Sequence, residues 1–479
     1  MESAWELAGL SATEMATGYR TGQFSPVEVH DAVLEVIGMC EPTLNALCVQ
    51  NPESRRKAEE SRQRWEAGTP LSMLDGVPAT VKENLAQAGV PLMAGSAGSI
   101  PTVPQRSSPV VERIEEAGGV ILGSTVMPDW GMLSSGVSSL HGVTRSPWNT
   151  SWTSGGSSSG AAVAAAAGYA PLNVGTDIGG SIRLPAGWLG LAALKPSAGR
   201  IPLDAPYLGR VAGPLTRTVA DSALFMAVLA QPDSRDWTGL PPTKLDWALP
   251  EMQPRHLSLG ILLDAGCGMP ASREVLKHVE GVAAHFEAAG SHVEPVGPFI
   301  QQELLDALDL FWRVRSWNDY RKLPSSKQDL VLPAVRDWCV TGADVTGAVV
   351  VDAYQLIMEM QSRTTSATEK FDYVLSPVSP DAAFAAEQPM PYPSLDRWMW
   401  HIGFTAPYNM SGQPAATINC GFTTDKKPVG VQISGRRWDD VGVLRIADWY
   451  EHTRPTAANP QWPIAKPADS VPGYSQHPN

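Results

Sequence analysis

The sequence is poor in cysteine and has no long apolar run. Its 479 residues include five cysteines, none of them in a C-x-x-C pair: Cys40, Cys48, Cys267, Cys339 and Cys420. An odd number of scattered cysteines is typical of reduced thiols in a cytosol and excludes a zinc ribbon. The longest apolar run, around residues 161–170, falls well short of the length that crosses a bilayer.

Basic charge is also scarce. Lysine and arginine total 36 against 49 acidic residues, which gives a formal net charge of −13. Because an acidic surface repels phosphate backbones, we expect no nucleic-acid partner. The N-terminal stretch MESAWELAGLSATEM carries acidic residues where a signal peptide is basic, and no apolar segment follows it. We therefore expect a cytoplasmic protein without a membrane partner.

Helix and strand patterns alternate along the chain. Helices are predicted within residues 11–67, with Ser11 and Ser25 as N-caps, and over 109–117, 271–289 and 440–452. Short apolar strands are predicted at 76–82, 119–123, 172–174, 257–263, 292–296, 373–375, 415–418 and 429–434. This alternation indicates an α/β layer architecture around one mixed sheet.

The chain has no linker long or polar enough to mark a domain boundary, so we predict a single domain over residues 1–479. Within it we expect N-terminal helices over about 8–67 and a catalytic core over about 70–230. A substrate-side region is expected over about 255–452, followed by an extended tail over 453–479 that is rich in proline.

Residues 155–185 read GGSSSGAAVAAAAGYAPLNVGTDIGGSIRLP, with a Ser/Gly cluster on each side of an alanine-rich run. Such composition is typical of flexible linkers. Gly156–Gly160 also fits G-x-S-x-G, the nucleophile elbow of α/β-hydrolases, although no downstream histidine sits in a recognisable motif. The third hypothesis is a pair of catalytic serines beside an oxyanion hole.

In this third arrangement Ser181 is the nucleophile, and the N–H groups of residues 178–181 converge on one carbonyl oxygen. Ser157 relays the Ser181 proton to a base. Lys82 ends an apolar strand, where burial would lower the pKa of the lysine and let it accept that proton. The alternative for Lys82 is a strand-end lysine with its amine in solvent, and local sequence alone favours that alternative.

Several blocks, in order, resemble the amidase signature family. They are Asp75–Asn84 (DGVPATVKEN), Glu116–Gly123 (EAGGVILG), Gly155–Gly160 with Gly175–Pro185, Gly213–Asp221 (GPLTRTVAD), Phe404–Ala415 (FTAPYNMSGQPA) and Pro428–Ile433 (PVGVQI). The resemblance extends from about residue 8 to about residue 452. It implies the amidase signature fold, with one large twisted mixed β-sheet flanked by helices on both faces. It also implies a hydrolase that cleaves amide C–N bonds with neither cofactor nor metal.

The resemblance further implies a Ser–Ser–Lys triad. By position, Lys82 is the base, Ser157 the bridging serine that follows a cis peptide, and Ser181 the acyl-forming nucleophile. The oxyanion donors carry over to the backbone of Ile178, Gly179, Gly180 and Ser181, and supporting roles to Ser158, Asp177 and Arg183. Ser154, Glu83 and the segment from Thr417 depart from the family's common residues, and none of these departures touches the triad.

Two loops bear on the substrate. Residues 199–213 (GRIPLDAPYLGRVAG) are expected to form a mobile lid that brings Arg200, Leu203 and Tyr207 to the ligand. Trp398 and Trp400 either line the pocket or pack in the core. We find no arginine cluster that indicates a carboxylate clamp, so we predict small neutral substrates, namely aryl amides, esters and carbamates. The lid and layout also resemble the urethanases and aryl acylamidases of this family.

Two other functions remain open. An amidotransferase A-type subunit would be nearly inert alone and would need partner chains. A non-catalytic scaffold would keep the fold without the chemistry, and the intact triad disfavours it. The sequence does not determine the oligomeric state.

Overall fold

The computed structural model describes residues 3–463. The helices are α1 (Ala4–Ala8), α2 (Ala12–Thr21), α3 (Pro26–Leu44), α4 (Ser54–Glu66), α5 (Pro109–Glu116), α6 (Ser159–Ala166), α7 (Arg183–Leu189), α8 (Val219–Leu229), α9 (Arg273–Ala288), α10 (Gln302–Tyr320), α11 (Ser325–Gln328), α12 (Pro333–Val340), α13 (Gly347–Thr368), α14 (Ala406–Met410) and α15 (Asp440–Thr453). The strands are β1 (Leu47–Gln50), β2 (Pro78–Lys82), β3 (Val120–Thr125), β4 (Val137–Ser138), β5 (Gly142–Val143), β6 (Leu172–Asp177), β7 (Ala192–Lys195), β8 (Val211–Thr216), β9 (Ser258–Ile261), β10 (His292–Pro295), β11 (Tyr373–Pro377), β12 (Ala415–Phe422) and β13 (Pro428–Gly435).

Eleven of these strands form one mixed sheet in the order β1-β3-β2-β6-β8-β7-β12-β13-β11-β9-β10, and β4 pairs separately with β5. Strand β2 runs parallel to both β3 and β6, while β8 and β12 run antiparallel to their neighbours. Helices cover both faces: α6 and α7 contact each other over the central strands, and α8 and α15 form a second contacting pair. The α/β class with one mixed sheet is confirmed.

The N-terminal helices begin where their caps predict. The Ser11 and Ser25 hydroxyls each accept a backbone N–H three residues on, and Glu14 and Glu28 reach back to complete both capping boxes. Strand β1, between α3 and α4, was not predicted. Its residues are only half-buried, which leaves little apolar pattern to read, and it is held by antiparallel pairing with β3.

Helix α6 shows why the alanine-rich run is needed. All eight of its residues are buried, and it packs on strands β2, β3, β6 and β8. At Gly160 even a methyl group would lie 2.1 Å from the Ala46 carbonyl oxygen, so backbone approaches backbone without space for a side chain. Small residues thus bring the chain leaving the first Ser/Gly cluster back against the strand that leads to the second.

A second apolar cluster lies beside the first and is built largely from α10, α12 and α13. No helix was predicted within residues 300–370, which supply these helices and lie in the expected substrate-side region. Their buried members include Leu304, Trp312, Trp338 and Ile357. This layer forms one wall of the pocket described below.

The tail does not begin at residue 453 as an extended segment. Helix α15 continues to Thr453, and a short 3-10 turn over Thr456–Ala458 accepts a 2.8 Å hydrogen bond from the Asn419 side chain at the Ala458 carbonyl. The rest of the predicted tail, residues 464–479, lies outside the described residues. None of the helices within residues 3–463 combines the length and apolar character required to cross a membrane.

Candidate active site

Lys82 is the last residue of β2, a strand whose five residues are all buried. Its Nζ lies 2.8 Å from the Ser157 Oγ and 3.1 Å from the Ser158 Oγ. Burial, followed by repulsion from the Arg210 guanidinium, lowers the pKa of Lys82 to about 7. The amine is therefore inside the protein, and the alternative of a solvated strand-end lysine is wrong.

Ser157 and Ser158 lie at the start of α6, and the peptide bond between Gly156 and Ser157 is cis. The Ser158 hydroxyl donates to the Thr176 carbonyl oxygen at 3.1 Å and accepts the Thr176 N–H at 3.2 Å. Since its own proton is committed to this carbonyl, Ser158 must accept from Lys82. Ser158 thus positions the amine and ties the first Ser/Gly cluster to β6.

Ser181 lies in the turn between β6 and α7. It lines the same pocket as Ser157, together with Ile178 and Gly179. Its hydroxyl makes no hydrogen bond with any side chain or backbone group of residues 3–463. The two serines are thus neighbours on one pocket wall, but the hydrogen bond between them that a proton relay needs is not formed in this structure.

The oxyanion donors differ from the prediction at one position. The Gly180 N–H donates to the Asp177 carboxylate at 2.8 Å, so it is already committed. The N–H groups of Ile178, Gly179 and Ser181 have no acceptor among the described residues and remain available to a carbonyl oxygen. Gly180 has a φ of 135°, a backbone conformation that favours glycine and that turns its N–H toward Asp177.

Asp177 and Arg183 hold this turn from inside. Their side chains are fully buried and form an ion pair at 3.0 Å, and Arg183 also donates to the Thr405 carbonyl and the Gln432 side chain. Although burial alone would raise it, the Arg183 guanidinium holds the pKa of Asp177 well below its usual range. Asp177 also accepts the Ile182 N–H at 3.0 Å. These contacts support the structural roles expected for both residues.

The serines open onto a pocket of about 640 Å³, counting its mouth. Nine of its eighteen lining residues are apolar, seven are polar or basic, and none is acidic. The lining residues are Asn84, Met127, Trp130, Gly131, Met132, Leu133, Ser134, Ser157, Thr176, Ile178, Gly179, Ser181, Leu184, Arg210, Trp312, Arg315, Met399 and Ile402. Such a pocket suits a substrate with a flat or apolar group.

The tryptophans predicted to line this pocket do not do so. Trp398 is buried in the second apolar cluster, stacked on Trp338 with ring centroids 6.4 Å apart, and Trp400 lies under the Arg397 guanidinium. Their neighbours Met399 and Ile402 line the pocket instead. The core-packing alternative is therefore correct for Trp398, whereas Trp400 is half-buried and belongs to neither apolar cluster. The chain there winds through 3-10 turns, and only some positions face inward.

The expected lid is anchored over its first part. Arg200 pairs with Asp440 at 2.9 Å, and Leu203 is buried in the main core with its N–H bonded to Asp236. Neither residue lines the pocket, so their assignment as substrate contacts is wrong. Tyr207 is closer to the site, since its ring lies 4.9 Å from the guanidinium carbon of the pocket residue Arg315.

The absence of an arginine cluster is also overturned. Arg210, at the end of the loop before β8, and Arg315, on α10, both line the pocket. They are far apart in the sequence, and neither belongs to a motif. The apolar residues Trp130 and Trp312 were missed for the same reason, although the helical pattern of 302–320 could have indicated that one face of this segment points inward.

One other group of side chains has the composition of a metal site. The Cys48 thiol, the Glu83 carboxylate and a His141 ring nitrogen lie within 4.8 Å of one another. Glu83 already accepts the Met127 N–H at 3.0 Å and lies 3.3 Å from His141. Burial raises the pKa of the Cys48 thiol, which opposes the thiolate that a metal needs. We assign no metal to this group.

Comparison with known proteins agrees with the fold. The family model described as Amidase matches residues 28–444. An acylamidase from Rhodococcus erythropolis is 33% identical over 96% of this chain and 98% of its own. The A-type subunit of the glutamyl-tRNA(Gln) amidotransferase from Chloroflexus aggregans is 32% identical over 94% of this chain and 98% of its own. Among solved structures, a bacterial aryl acylamidase of the amidase signature family aligns with a TM-score of 0.86 and 27% identity, over 96% and 99% of the two chains.

The chain therefore belongs to the amidase family, and its architecture is that of the amidase signature enzymes. Within that class it is a hydrolase that acts on amides.

Proposed function

We propose that this chain is a stand-alone serine hydrolase that cleaves aryl amides and carbamates through a covalent intermediate on Ser181. The observation that carries the proposal is the buried amine of Lys82, which lies 2.8 Å from Ser157 in a pocket that also exposes Ser181. The relatives named as acylamidases support the amide class. The apolar pocket supports the aryl group.

The first step is activation of the nucleophile. Ser158 accepts one N–H of Lys82, which leaves the lone pair of the neutral amine for the Ser157 proton. Ser157 in turn takes the proton of Ser181. This relay requires a rotation of the Ser181 side chain, since the two hydroxyls are not hydrogen-bonded in this structure. We expect the Ser181 side chain to rotate when substrate binds beside it.

Attack by the Ser181 Oγ then forms a bond to the carbonyl carbon and moves negative charge to the carbonyl oxygen. The N–H groups of Ile178, Gly179 and Ser181 stabilise that charge. As the C–N bond breaks, Ser157 gives its proton to the leaving amine and recovers one from the Lys82 ammonium. Water, activated by the same relay, then hydrolyses the acyl-enzyme formed from an amide, or the alkoxycarbonyl-enzyme formed from a carbamate, and releases the carboxylic acid or the carbonic half-ester.

The decisive experiment is turnover of 4-nitroacetanilide and of an aryl carbamate by the purified chain alone. We expect hydrolysis of the anilide and its loss, by a factor on the order of 10³ or more, in Ser181→Ala. Mass spectrometry after phenylmethanesulfonyl fluoride should place the adduct on Ser181. Ser411→Ala, a buried serine remote from the triad in the sequence, is the matched control.

Other outcomes lead elsewhere. An adduct on Ser158 would support the nucleophile-elbow hypothesis and contradict this one. No hydrolysis of any amide by the chain alone would favour an amidotransferase component, the function named for one of its relatives. Hydrolysis of the anilide but not of the carbamate would support the proposed amidase activity and contradict the proposed urethanase activity.

A further inference from the structure

Two arginines in the pocket have no anionic partner. The Arg210 side chain makes no hydrogen bond or ion pair with any of the described residues 3–463. The Arg315 side chain contacts only the Met132 sulfur at 3.7 Å and the face of the Tyr207 ring at 4.9 Å. Neither contact neutralises a guanidinium charge.

Three buried arginines elsewhere in the molecule do have acceptors. The fully buried Arg183 has a carboxylate and three further acceptors, and Arg200 pairs with Asp440. Arg217 donates to three backbone carbonyls on one chain segment and a fourth on α6. These three buried arginines thus have oxygen acceptors, as buried charges normally do. Arg210 and Arg315 have no oxygen acceptor among the described residues.

The two charges also repel each other. Burial, with the like charge of Arg315 as the second cause, lowers the pKa of Arg210. Both side chains line the same pocket, and the Arg315 guanidinium also lies over the Tyr207 ring. Placing two cations in one pocket without an acidic side chain is unfavourable until an anion joins them.

We propose that Arg210 and Arg315 form a carboxylate subsite, and that the amides this enzyme hydrolyses best carry a carboxylate beside an apolar or aryl group. This inference rests on the proposed hydrolase function and names its substrate class. A carboxylate matches the planar fork of a guanidinium and can bridge two of them. The apolar walls formed by Trp130, Trp312 and Ile402 then take the rest of the substrate.

The test compares pairs of substrates that differ only in charge. With the carboxylate on the acyl side, 4-nitrosuccinanilic acid is compared with its neutral carboxamide; with it on the amine side, 4-acetamidobenzoate is compared with 4-acetamidobenzamide. We expect kcat/KM for the acid of at least one pair to exceed that of its amide by roughly ten- to hundredfold. Arg315→Gln and Arg210→Gln should each remove most of that preference.

The matched control is Arg321→Gln, which removes one positive charge just beyond the same helix, at an exposed position bonded to Asn318. It should leave the preference unchanged. Equal kcat/KM for acid and amide in both pairs, or a preference that survives both pocket variants, would overturn the proposal while leaving the hydrolase function intact.

A binding measurement separates failure of the subsite from failure of the function. Ser181→Ala is titrated with 4-nitrosuccinanilic acid, 4-acetamidobenzoate and their carboxamides by calorimetry, with and without Arg315→Gln. Tighter, arginine-dependent binding of an acid would support the subsite even if the wild type hydrolysed no anilide. Equal binding of acid and amide in both pairs would overturn it whatever the turnover.

Discussion

We expect the rate of amide hydrolysis to rise with pH along a limb set by Lys82. Burial and the nearby Arg210 charge lower the pKa of this lysine from 10.5 to about 7. Only the neutral amine can accept the Ser157 proton. Below this pKa, kcat/KM should therefore fall about tenfold for each pH unit.

The size of the effect follows from the shift. With a pKa of 10.5, only about 0.03% of lysine amines are neutral at pH 7, whereas about half are neutral with a pKa of about 7. The site thus raises the fraction of competent base by roughly 1,600-fold. The folded pKa of Lys82 lies below the unfolded one, so burying this lysine lowers the free energy of unfolding at pH 7 and below. That cost is relieved as pH rises from about 7 toward 10.5.

The assay is kcat/KM for 4-nitroacetanilide between about pH 5 and 9.5, with circular dichroism to verify the fold at each pH. Arg210→Gln removes a charge that disfavours the ammonium, so the limb should move to higher pH. Lys82→Arg should be nearly inactive, since a guanidinium does not accept the proton.

A second buried lysine provides the control. Burial also lowers the pKa of Lys195 to about 7, but its amine donates to the Pro196 carbonyl at 2.8 Å and lies outside the pocket lining. Lys195→Met should leave the limb in place. A limb that disappears in Lys195→Met, or a Lys82→Arg enzyme with more than about a tenth of wild-type activity, would refute the reasoning.

Three further outcomes are expected. Asp177→Asn leaves the buried Arg183 unpaired and should lower the free energy of unfolding by about 3–5 kcal/mol in chemical denaturation, whereas the exposed Asp204→Asn should not. The fold lowers the pKa of Asp177. The Asp177 carboxylate therefore stabilises the folded state above about pH 3.8, its ordinary pKa, and this stabilisation is lost as pH falls through the folded pKa. Leu203→Ala should lower the free energy of unfolding by about 2–5 kcal/mol and should change kcat/KM for acetamide and for bulky anilides equally. Tyr207→Ala should change the ratio of these two kcat/KM values. A changed ratio in Leu203→Ala but not in Tyr207→Ala would restore Leu203 as a lid contact. Trp312→Leu should shift selectivity among anilides of different ring size and Trp398→Leu should not, as measured by relative kcat/KM; a shift in the latter alone would contradict the pocket assignment.

The residues proposed for the triad could be singled out because they lie in local patterns and in blocks that resemble the family. Ser157 and Ser181 stand in Ser/Gly clusters at the ends of an alanine-rich run, and Lys82 closes an apolar strand. Glycine and alanine at these positions permit close backbone approach, although the same composition is also typical of flexible linkers. The neighbouring strands β2 and β6 then bring the three residues together, since both run parallel in the sheet.

The burial and the lowered pKa of Lys82 could be established only from the tertiary structure. Local sequence alone favours solvent for a lysine at the end of a strand. What decides its pKa is the set of groups around it: Ser157 and Ser158 from the start of α6, and Arg210 from a distant loop. Likewise, Gly180 could not be separated from its neighbours as an oxyanion donor until the direction of its N–H toward Asp177 was known.

The sequence by itself determined most of the sheet strands and the capped N-terminal helices, because each depends on residues near one another in the chain. Only the tertiary structure decided what surrounds the triad. Trp130, Arg210, Trp312, Arg315 and Met399 come from separate segments of the chain, and Met399 faces the pocket while its neighbour Trp398 faces the core. Which side of a turn or helix points inward is set by packing against elements far away in sequence, and so the substrate pocket is a property of the folded chain.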